Sequence, residues 1–552
     1  MPHRSGPLAK GVRLIDQGKM MQGDRKIEIL DTTLRDGAQT TGVAFSLQDK
    51  IEIATRLDRV GISFIEGGWP GSNPKDLEFF RRIKDYSFKN SKIAAFGATK
   101  KKGSAEDPSL RSIVDSDVRY AVLFGKSWLL HVEGVLRITA DDNLTIISES
   151  IEYLRKHGME VIYDAEHFFD GYMDNRDYAI STIRTAKEAG ARTIVLADTN
   201  GGTLPQHTLK VVRDIKENVG GNLGIHAHND SGVAVANSLL AASEGFNHIQ
   251  GTVNGLGERC GNADIIQIIP SLELKMGVSA IWGNERSPSS LKELKALSSY
   301  VYDLLNITPD PYQPYVGRYA FSHKGGVHVD AMIKDSRAYE HVDPELIGNT
   351  RNYVVSELAG RAAVLKYAQE LGLDVDKEDR LITDTLTQVK EFEKGGLSVE
   401  SADATVKLIL LKNRGVYRDS FNMLYWMASA RNVNSTVESE GEVIVRVDNE
   451  VLYEREKGVG PVHALDNALR KGVLRKFPLL KDVQLLNYKV GVFDGDRGTA
   501  SSVRVLIEFG DGKDRWATAA VSDNILEASA RALSDGYNYK LGVEALSSSH
   551  RR

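Results

Sequence analysis

The sequence predicts a (β/α)8 barrel followed by a helical linker subdomain and a C-terminal α+β domain. Three observations support this fold class. Eight short β-rich runs alternate with helical patterns between residues 27 and 276, polar residues collect where these runs end, and the pattern changes beyond Met276. Eight alternations in roughly 250 residues favour a closed barrel over a doubly wound open sheet, which shows the same alternation.

Each predicted strand is a short run that is rich in β-branched and aromatic residues. Most are followed by an amphipathic stretch, and the first helix is introduced by Ser46 and Asp49, which resemble a capping box. The predicted strands span residues 27–30, 63–66, 93–96, 120–124, 160–164, 193–198, 223–228 and 248–252.

The remainder of the chain has two further patterns. Residues 287–399 read as helices with irregular connections, and a weak repeat of strand, strand and helix follows. Such a duplicated β-β-α unit is often a ligand-binding or dimerisation module, although an appendage without a ligand has the same pattern. The two copies of the repeat comprise residues 443–447, 451–455 and 462–473, and residues 503–508, 515–520 and 523–534. The predicted parts of the chain are a disordered tail (1–24), the barrel (25–285), the linker (286–402) and the C-terminal domain (403–545).

Composition is that of a soluble globular protein, with 41% hydrophobic and 26% charged residues in 552. The net charge of -5 gives no reason to expect nucleic acid or an anionic membrane as a partner. The single cysteine, Cys260, excludes an internal disulfide framework and fits a reducing cytosol. Because we find neither a signal peptide nor a run long enough to span a bilayer, we expect a cytoplasmic protein.

Unusual polar residues follow the predicted strands, and active sites of barrels lie at the C-terminal ends of strands. Scattered polar residues would have no reason to collect at one rim. This pattern therefore predicts an enzyme. The residues are Asp36 after strand one, Glu66 at strand two, Asp164 and Glu166 at strand five, Asp198 and Thr199 at strand six, His226 and His228 at strand seven, and Asn262 after strand eight.

Four of these residues form a candidate metal site. Side chains alternate along a strand, so His226 and His228 point the same way, and Asp36 and Asn262 lie on the same rim. Oxygen and nitrogen ligands without a thiolate suit Mn, Mg, Co or Zn. The alternative is a hydrogen-bonded histidine pair at a strand end, with Asp36 as a loop cap or as the partner of a buried arginine.

Two other polar groups suggest substrate contacts. Arg35, beside the candidate ligand Asp36, could stabilise an oxyanion on a carbonyl substrate. It could equally form a structural ion pair with Glu66, Glu166 or Glu258. Thr199, before a Gly-Gly turn, could supply a hydroxyl to a carboxylate, or the segment could be a tight turn only.

Three motifs together resemble those of the 2-isopropylmalate, homocitrate and citramalate synthase family. They are TLRDGAQ at 33–39, HAHND at 226–230 and GLGERCGN at 255–262. The resemblance covers nearly the whole chain. It implies a metal-dependent TIM barrel that performs a Claisen condensation of acetyl-CoA with a 2-oxo acid, together with a C-terminal module that senses an amino acid.

Finer features resemble the long-type citramalate synthases within that family. The runs GGWPGSNPKD at 67–76, FGKSW at 124–128 and YDAEHFFDG at 163–171 are similar to that subgroup. Isopropylmalate synthases commonly carry Glu where this chain has Ala38. The bulky Trp69 and Phe96 could also narrow the side-chain pocket toward the methyl group of pyruvate.

The resemblance implies roles for individual residues. Arg35 would polarise the ketone, and Gln39 and Thr199 would help to bind the substrate. The base would be a set of Glu166, His328 and Tyr339, with His323 as a rival to His328. Pyruvate as the 2-oxo acid would place the enzyme in isoleucine synthesis, with isoleucine as the expected inhibitor and a homodimer as the expected assembly.

Three rival functions remain open at this point. A sister synthase would use 2-oxoisovalerate or 2-oxoglutarate instead of pyruvate. An acyl-CoA lyase of the same superfamily would depend on Cys260, but the large C-terminal domain argues against it. A non-catalytic amino-acid sensor is disfavoured by the intact set of Arg35, Asp36, His226 and His228.

Overall fold

The computed structural model places the chain in two compact units. The first comprises the barrel with residues up to 321 and the segment 342–350, and the second comprises the segment 322–341 and residues from 351 onward. The predicted tail, residues 1–24, lies outside the described residues. The structure describes residues 25–104, 107–281, 288–323, 328, 331–332, 334–353, 361–376, 378–394, 399, 401–433, 435–492, 501–512 and 514–549.

The first unit contains a closed barrel of eight parallel strands in sequential order. The predicted closed barrel is therefore confirmed, and the open sheet is excluded. The first and eighth strands close it, in a register that runs from Glu28 opposite His248 to Asp31 opposite Gly251. The strands are β1 (Glu28–Asp31), β2 (Phe64–Gly68), β3 (Lys92–Ala98), β4 (Tyr120–Lys126), β5 (Glu160–Glu166), β6 (Thr193–Asp198), β7 (Leu223–Ala227) and β8 (His248–Gly251).

Helices follow the strands and pack against the barrel or against neighbouring helices. The first helix begins at the predicted capping box, in which Ser46 and Asp49 exchange side-chain and backbone hydrogen bonds. The last, α10, packs against α1. The helices are α1 (Leu47–Val60), α2 (Pro74–Arg82), α3 (Pro108–Asp115), α4 (Ala140–Lys156), α5 (Phe168–Asp174), α6 (Arg176–Glu188), α7 (Pro205–Asn218), α8 (Ala234–Ser243), α9 (Ile265–Ser271) and α10 (Pro288–Leu304).

An apolar cluster fills the interior of the barrel and supports the layer above it. Phe64 and Ile162 belong to this cluster, and both are fully buried. Because side chains alternate along a strand, the residues two positions further along, Glu66 and Asp164, point into the interior one layer higher. An apolar floor therefore lies beneath a polar layer at the C-terminal end of the barrel.

The second unit begins with short strands and helices and ends in two antiparallel sheets. Its core joins both sheets to two long helices, α14 and α15. The elements are β9 (Ser322–His323), β10 (Asn352–Tyr353), α11 (Arg361–Glu370), α12 (Arg380–Lys394), α13 (Asp403–Arg414), β11 (Asn422–Val433), β12 (Thr436–Val447), β13 (Glu450–Gly458), α14 (Pro461–Leu474), β14 (Gln484–Val492), β15 (Val503–Gly510), β16 (Arg515–Ser522) and α15 (Ile525–Ser549).

The predicted β-β-α repeat is present but incomplete, because each repeat has a third strand at its start. Within the part of the chain that the structure describes, these strands, β11 and β14, are each hydrogen-bonded to one neighbouring strand. Each also contains a register shift, between Met423 and Tyr425 in β11 and between Leu485 and Asn487 in β14. A bulge interrupts the alternation of apolar and polar residues on which strand prediction depends, so neither strand was predicted.

Among the described residues, no helix combines the length with the apolar composition that a membrane span requires.

Candidate active site

A cavity of about 220 Å³ opens at the C-terminal end of the barrel, above the apolar floor. Its walls come from strand ends and from the loops that follow them. Seven residues predicted to act in catalysis, substrate binding or metal binding line it: Arg35, Asp36, Gln39, Glu166, Thr199, His226 and His228.

Three of the four predicted metal ligands converge at one side of this cavity. Potential ligand atoms of Asp36, His226 and His228 all lie within 4.8 Å of one another, and all three residues are buried. The two Nε2 atoms are 3.3 Å apart, and Asp36 Oδ2 lies 3.6 Å from that of His226 and 3.8 Å from that of His228. With this spacing, the three potential ligand atoms surround one small volume, which all three could reach.

The ionisation states of these groups fit a metal site. Burial, with the neighbouring His228, lowers the pKa of His226 to about 3, and burial also lowers the pKa of His228. Burial acts to raise the pKa of Asp36, but the Arg35 guanidinium, with the neighbouring His226 and His228, brings it below its ordinary value. Neutral imidazoles beside an ionised carboxylate are the forms that bind a divalent cation.

The fourth predicted ligand, Asn262, lies next to His228 through an isolated β-bridge. Its Nδ2 donates to the Leu256 carbonyl oxygen at 3.0 Å. Its Oδ1, like Oδ1 of Asp36, is buried and finds no hydrogen-bond partner within the described part of the chain. Buried oxygens of this kind are costly unless they acquire a partner, and a cation at the cluster would supply one.

Arg35 is held by a carboxylate on one side and an aromatic ring on the other. Its Nε donates to Glu66 Oε2 at 2.7 Å, its Nη1 lies 3.3 Å from Asp36 Oδ2, and its guanidinium carbon lies 3.8 Å above the Phe96 ring. Of the three ion-pair partners considered from the sequence, Glu66 is the one in contact. The guanidinium is therefore fixed at the cavity wall, beside the metal cluster.

Aromatic side chains form another part of the cavity wall. Trp69 meets Phe96 and Phe124 edge-on, at centroid distances of 5.5 and 5.6 Å, and Phe96 stacks on Phe124 at 5.2 Å. Trp69 is positioned through its backbone, because its N–H donates to Asp76 Oδ2 at 2.9 Å. The sequence analysis predicted that Trp69 and Phe96 lie near the rim, but it did not predict this for Phe124. Phe124 reaches the wall because it lies near the C-terminal end of β4.

Thr199 is tied into the rim of the cavity through both its side chain and its backbone. Its Oγ1 accepts from the backbone N–H of His167 at 2.9 Å, and its carbonyl oxygen accepts from Arg259 Nη2 at 2.7 Å. Arg259 also donates to both carboxylate oxygens of Asp230, at 2.9 and 3.0 Å. The loops after β6, β7 and β8 are thus joined by one guanidinium, which the sequence did not single out.

The three residues of the predicted base set are divided between the units. Glu166 lies at the end of β5, where it is ion-paired with Lys126. His328 and Tyr339 belong to the second unit, where their rings stack with centroids 4.2 Å apart. The rival His323 lies in the same unit, 3.6 Å from Glu340.

Two buried polar residues of the barrel were not assigned a role from the sequence. Asp164 lines the cavity, and burial with the nearby charge of Glu66 raises its pKa well above the ordinary value. Gln250 in β8 is fully buried and contacts both His226 and Asp164. Each could have been found in the sequence as a polar residue at an inward-facing position of an otherwise apolar strand.

The chain's one cysteine, Cys260, is exposed. It lies on the loop after β8, two residues before Asn262.

Three family models match successive parts of the chain. Residues 26–300 match the HMGL-like family, and residues 315–395 match the homocitrate synthase post-HMGL domain-like family. Residues 400–541 match the LeuA allosteric (dimerisation) domain.

Relatives match across almost the full length. An (R)-citramalate synthase from Sulfolobus acidocaldarius is 49% identical over 95% of this chain and 98% of its own, and one from Geobacter sulfurreducens is 46% identical over 93% and 97%. A 2-isopropylmalate synthase from Pyrococcus furiosus is 31% identical over 93% and 99%. The resemblance predicted from the motifs is therefore confirmed, and the chain belongs to the (R)-citramalate synthase family of acyltransferases.

Proposed function

We propose that this enzyme condenses acetyl-CoA with pyruvate and hydrolyses the thioester, giving (R)-citramalate and CoA. The observation that carries the proposal is the cavity itself, whose lining combines the Asp36, His226 and His228 cluster and the Arg35 guanidinium with three aromatic side chains. The polar side suits the ketone and carboxylate of a 2-oxo acid. The wall of Trp69, Phe96 and Phe124 is proposed to narrow the pocket toward the methyl group of pyruvate.

A divalent cation held by Asp36, His226, His228 and Asn262 would supply Lewis-acid polarisation of the ketone. The oxygen and nitrogen donors suit Mn, Mg, Co or Zn. Arg35 is fixed by Glu66 and Phe96, so its guanidinium stabilises the developing oxyanion without having to reorganise. Thr199 and Gln39 bind the carboxylate end of the substrate.

Glu166, His328 and Tyr339 are proposed as the groups that move the proton. They remove a proton from the methyl group of acetyl-CoA, and the resulting enolate carbon forms a bond to C2 of pyruvate. The ketone oxygen takes up a proton, and water then cleaves the thioester to release CoA. A positioned acid or base contributes roughly 10²–10⁴-fold to such a step.

The C-terminal domain is proposed to bind isoleucine and to support a homodimer. A cavity of about 610 Å³ lies between α14 and the following strand β14. It offers Asp466 to an ammonium group, His463 and Arg470 to a carboxylate, and Val462 and Leu485 to an aliphatic side chain. Feedback by isoleucine would place the enzyme in isoleucine synthesis, and we propose a cytoplasmic location.

The test is a CoA-release assay with metal-stripped protein, acetyl-CoA and a panel of 2-oxo acids. We expect turnover that depends on added Mn²⁺ or another divalent cation, is fastest with pyruvate and decreases when isoleucine is added. A preference for 2-oxoisovalerate would contradict the pyruvate assignment. Turnover with none of the acids would leave a sensor as the better function.

A further inference from the structure

Gln250 connects His226 to Asp164 inside the barrel. Its Oε1 lies 3.0 Å from His226 Nδ1, and its Nε2 donates to Asp164 Oδ1 at 2.8 Å. Gln250 is fully buried, and His226 and Asp164 are each 6% exposed. His226 and Gln250 are also register partners on the adjacent strands β7 and β8. Both strands therefore hold the contact in place.

The Gln250 amide determines which nitrogen of His226 carries the hydrogen. An amide oxygen can only accept, so Nδ1 must donate to it, and the neutral ring then has its lone pair on Nε2. That Nε2 lies 3.6 Å from Asp36 Oδ2 and 3.3 Å from His228 Nε2. The opposite tautomer would direct an N–H into the centre of the donor set.

Asp164 in turn determines which way the amide faces. Because its Oδ1 accepts the hydrogen bond, the NH₂ group of Gln250 is directed toward Asp164 and the oxygen toward His226. If the amide turned over, its NH₂ group would meet the Nδ1–H of His226. Donor would then face donor in a fully buried position, which is unfavourable because neither hydrogen could find a partner.

We propose that Gln250 is a positioning residue that fixes His226 as a metal ligand, and that Asp164 orients the Gln250 amide. The inference rests on the proposed metal site but not on the identity of the 2-oxo acid. Neither residue needs to touch the cation. Outer partners of this kind typically change metal affinity by 10–100-fold when they are removed.

The test is the affinity of the metal-stripped, full-length protein for Co²⁺, measured by calorimetry and by the visible spectrum of the bound ion. Gln250→Met keeps the length of the side chain but removes the acceptor, and we expect its Co²⁺ affinity to fall 10–100-fold. Gln250→Glu keeps an acceptor oxygen for Nδ1–H but loses the group that donates to Asp164, and we expect its affinity to fall less than that of Gln250→Met. The Co²⁺ spectrum should change more in the first variant than in the second.

Asp164 is tested in the same way. Asp164→Asn retains a carbonyl acceptor for Gln250, whereas Asp164→Leu removes it, so only the leucine variant should lose Co²⁺ affinity. Gln267→Met is the matched control, because Gln267 donates to Asp264 and has no link to His226. It should bind Co²⁺ as wild type does.

Two results would overturn the inference. One is a Gln250→Met protein that unfolds at the wild-type temperature and binds Co²⁺ with wild-type affinity. The other is an equal loss in Gln250→Met and Gln250→Glu, which would indicate general disturbance of the core. If the wild-type protein itself bound no Co²⁺, Mn²⁺ or Zn²⁺, both the proposed metal site and this inference would be contradicted. A preference for a 2-oxo acid other than pyruvate would contradict the proposed function alone.

Discussion

At the scale of single residues, Arg35 combines a structural and a chemical role. Its Nε is bound to Glu66, which is fully buried, and its flat face lies on Phe96. A planar cation with directional donors can make both contacts at once, whereas a lysine ammonium can make only one of them well. The substrate therefore meets a cation whose orientation is already fixed.

Arg35→Lys should lower kcat by about 10²–10³-fold, the usual effect of losing one donor to an oxyanion. The positive charge is retained, so the loss would report orientation rather than charge. Thiol release from acetyl-CoA at saturating pyruvate measures it. Arg213→Lys, at an exposed ion pair with Glu244, is the control. A kcat within threefold of wild type for Arg35→Lys would contradict the proposed role of Arg35 in stabilising the oxyanion.

The aromatic wall makes a second prediction at this scale. Trp69→Leu should enlarge the cavity while leaving Phe96 beneath Arg35. We expect the ratio of kcat/KM for 2-oxobutanoate to that for pyruvate to rise about tenfold, since one methylene is discriminated by about 1–3 kcal/mol. Trp426→Leu in β11 is the matched control. An unchanged ratio in the Trp69 variant would show that the wall does not set substrate size.

At the scale of elements, three loops at the rim act as one support. The Arg259 guanidinium joins Asp230 on the loop after β7 to the Thr199 carbonyl oxygen on the loop after β6. Backbone hydrogen bonds add to this connection, from Ser231 to Gly201 and from Asn229 to Gly261, each at 2.9 Å. The loops that carry His228, Asn262 and Thr199 are thus positioned relative to one another.

Arg259→Met should raise the KM for pyruvate by about tenfold, equivalent to about 1.4 kcal/mol, because Thr199 loses its backbone restraint. The metal affinity should change less, since His228 and Asn262 retain their β-bridge. Steady-state kinetics and Co²⁺ titration separate the two effects. Arg213→Met removes a comparable exposed ion pair from the outer helices and should change neither; a pyruvate KM unaltered in the Arg259 variant would disprove the coupling.

At the scale of the whole molecule, the closure between β1 and β8 is reinforced by a partly buried ionic cluster. Arg192 donates to both carboxylate oxygens of Glu28, at 2.7 and 2.6 Å, and His248 lies 3.7 Å from the same carboxylate. Burial acts to raise the pKa of Glu28, but the hydrogen bonds from Arg192, with the nearby His248, bring it to about 2. The folded barrel therefore favours the ionised carboxylate.

Glu28→Gln should lower the free energy of unfolding at pH 7 by about 2–3 kcal/mol. The contribution of Glu28 is fully present above its ordinary pKa of 4.5 and is lost as the pH falls toward 2. The variant should therefore lose less stability than wild type between pH 5 and pH 3. Urea unfolding across this range is the measurement, with Glu244→Gln as the control at an exposed pair. Parallel pH curves for Glu28→Gln and wild type would refute the assignment.

The features that could be predicted from the sequence are those that depend on residues close together in the chain. The eight strands and the capping box at Ser46 depend on neighbours a few residues apart, so they could be predicted. The strands β11 and β14 could not, because bulges interrupt their alternation. Gln250 and Asp164 are 86 residues apart, and their contact depends on the closed barrel. The roles of His328 and Tyr339 stay predictions from the family resemblance.

The exposed Cys260 has a practical consequence. A thiol that occurs once in the chain and lies two residues before Asn262 accepts a single fluorophore at a known position. The labelled protein would report movement of the loop after β8 when Co²⁺, pyruvate or acetyl-CoA is added, without any engineered cysteine. The same thiol reacts with the reagents that detect free CoA, so each enzyme molecule contributes one equivalent of background to that assay.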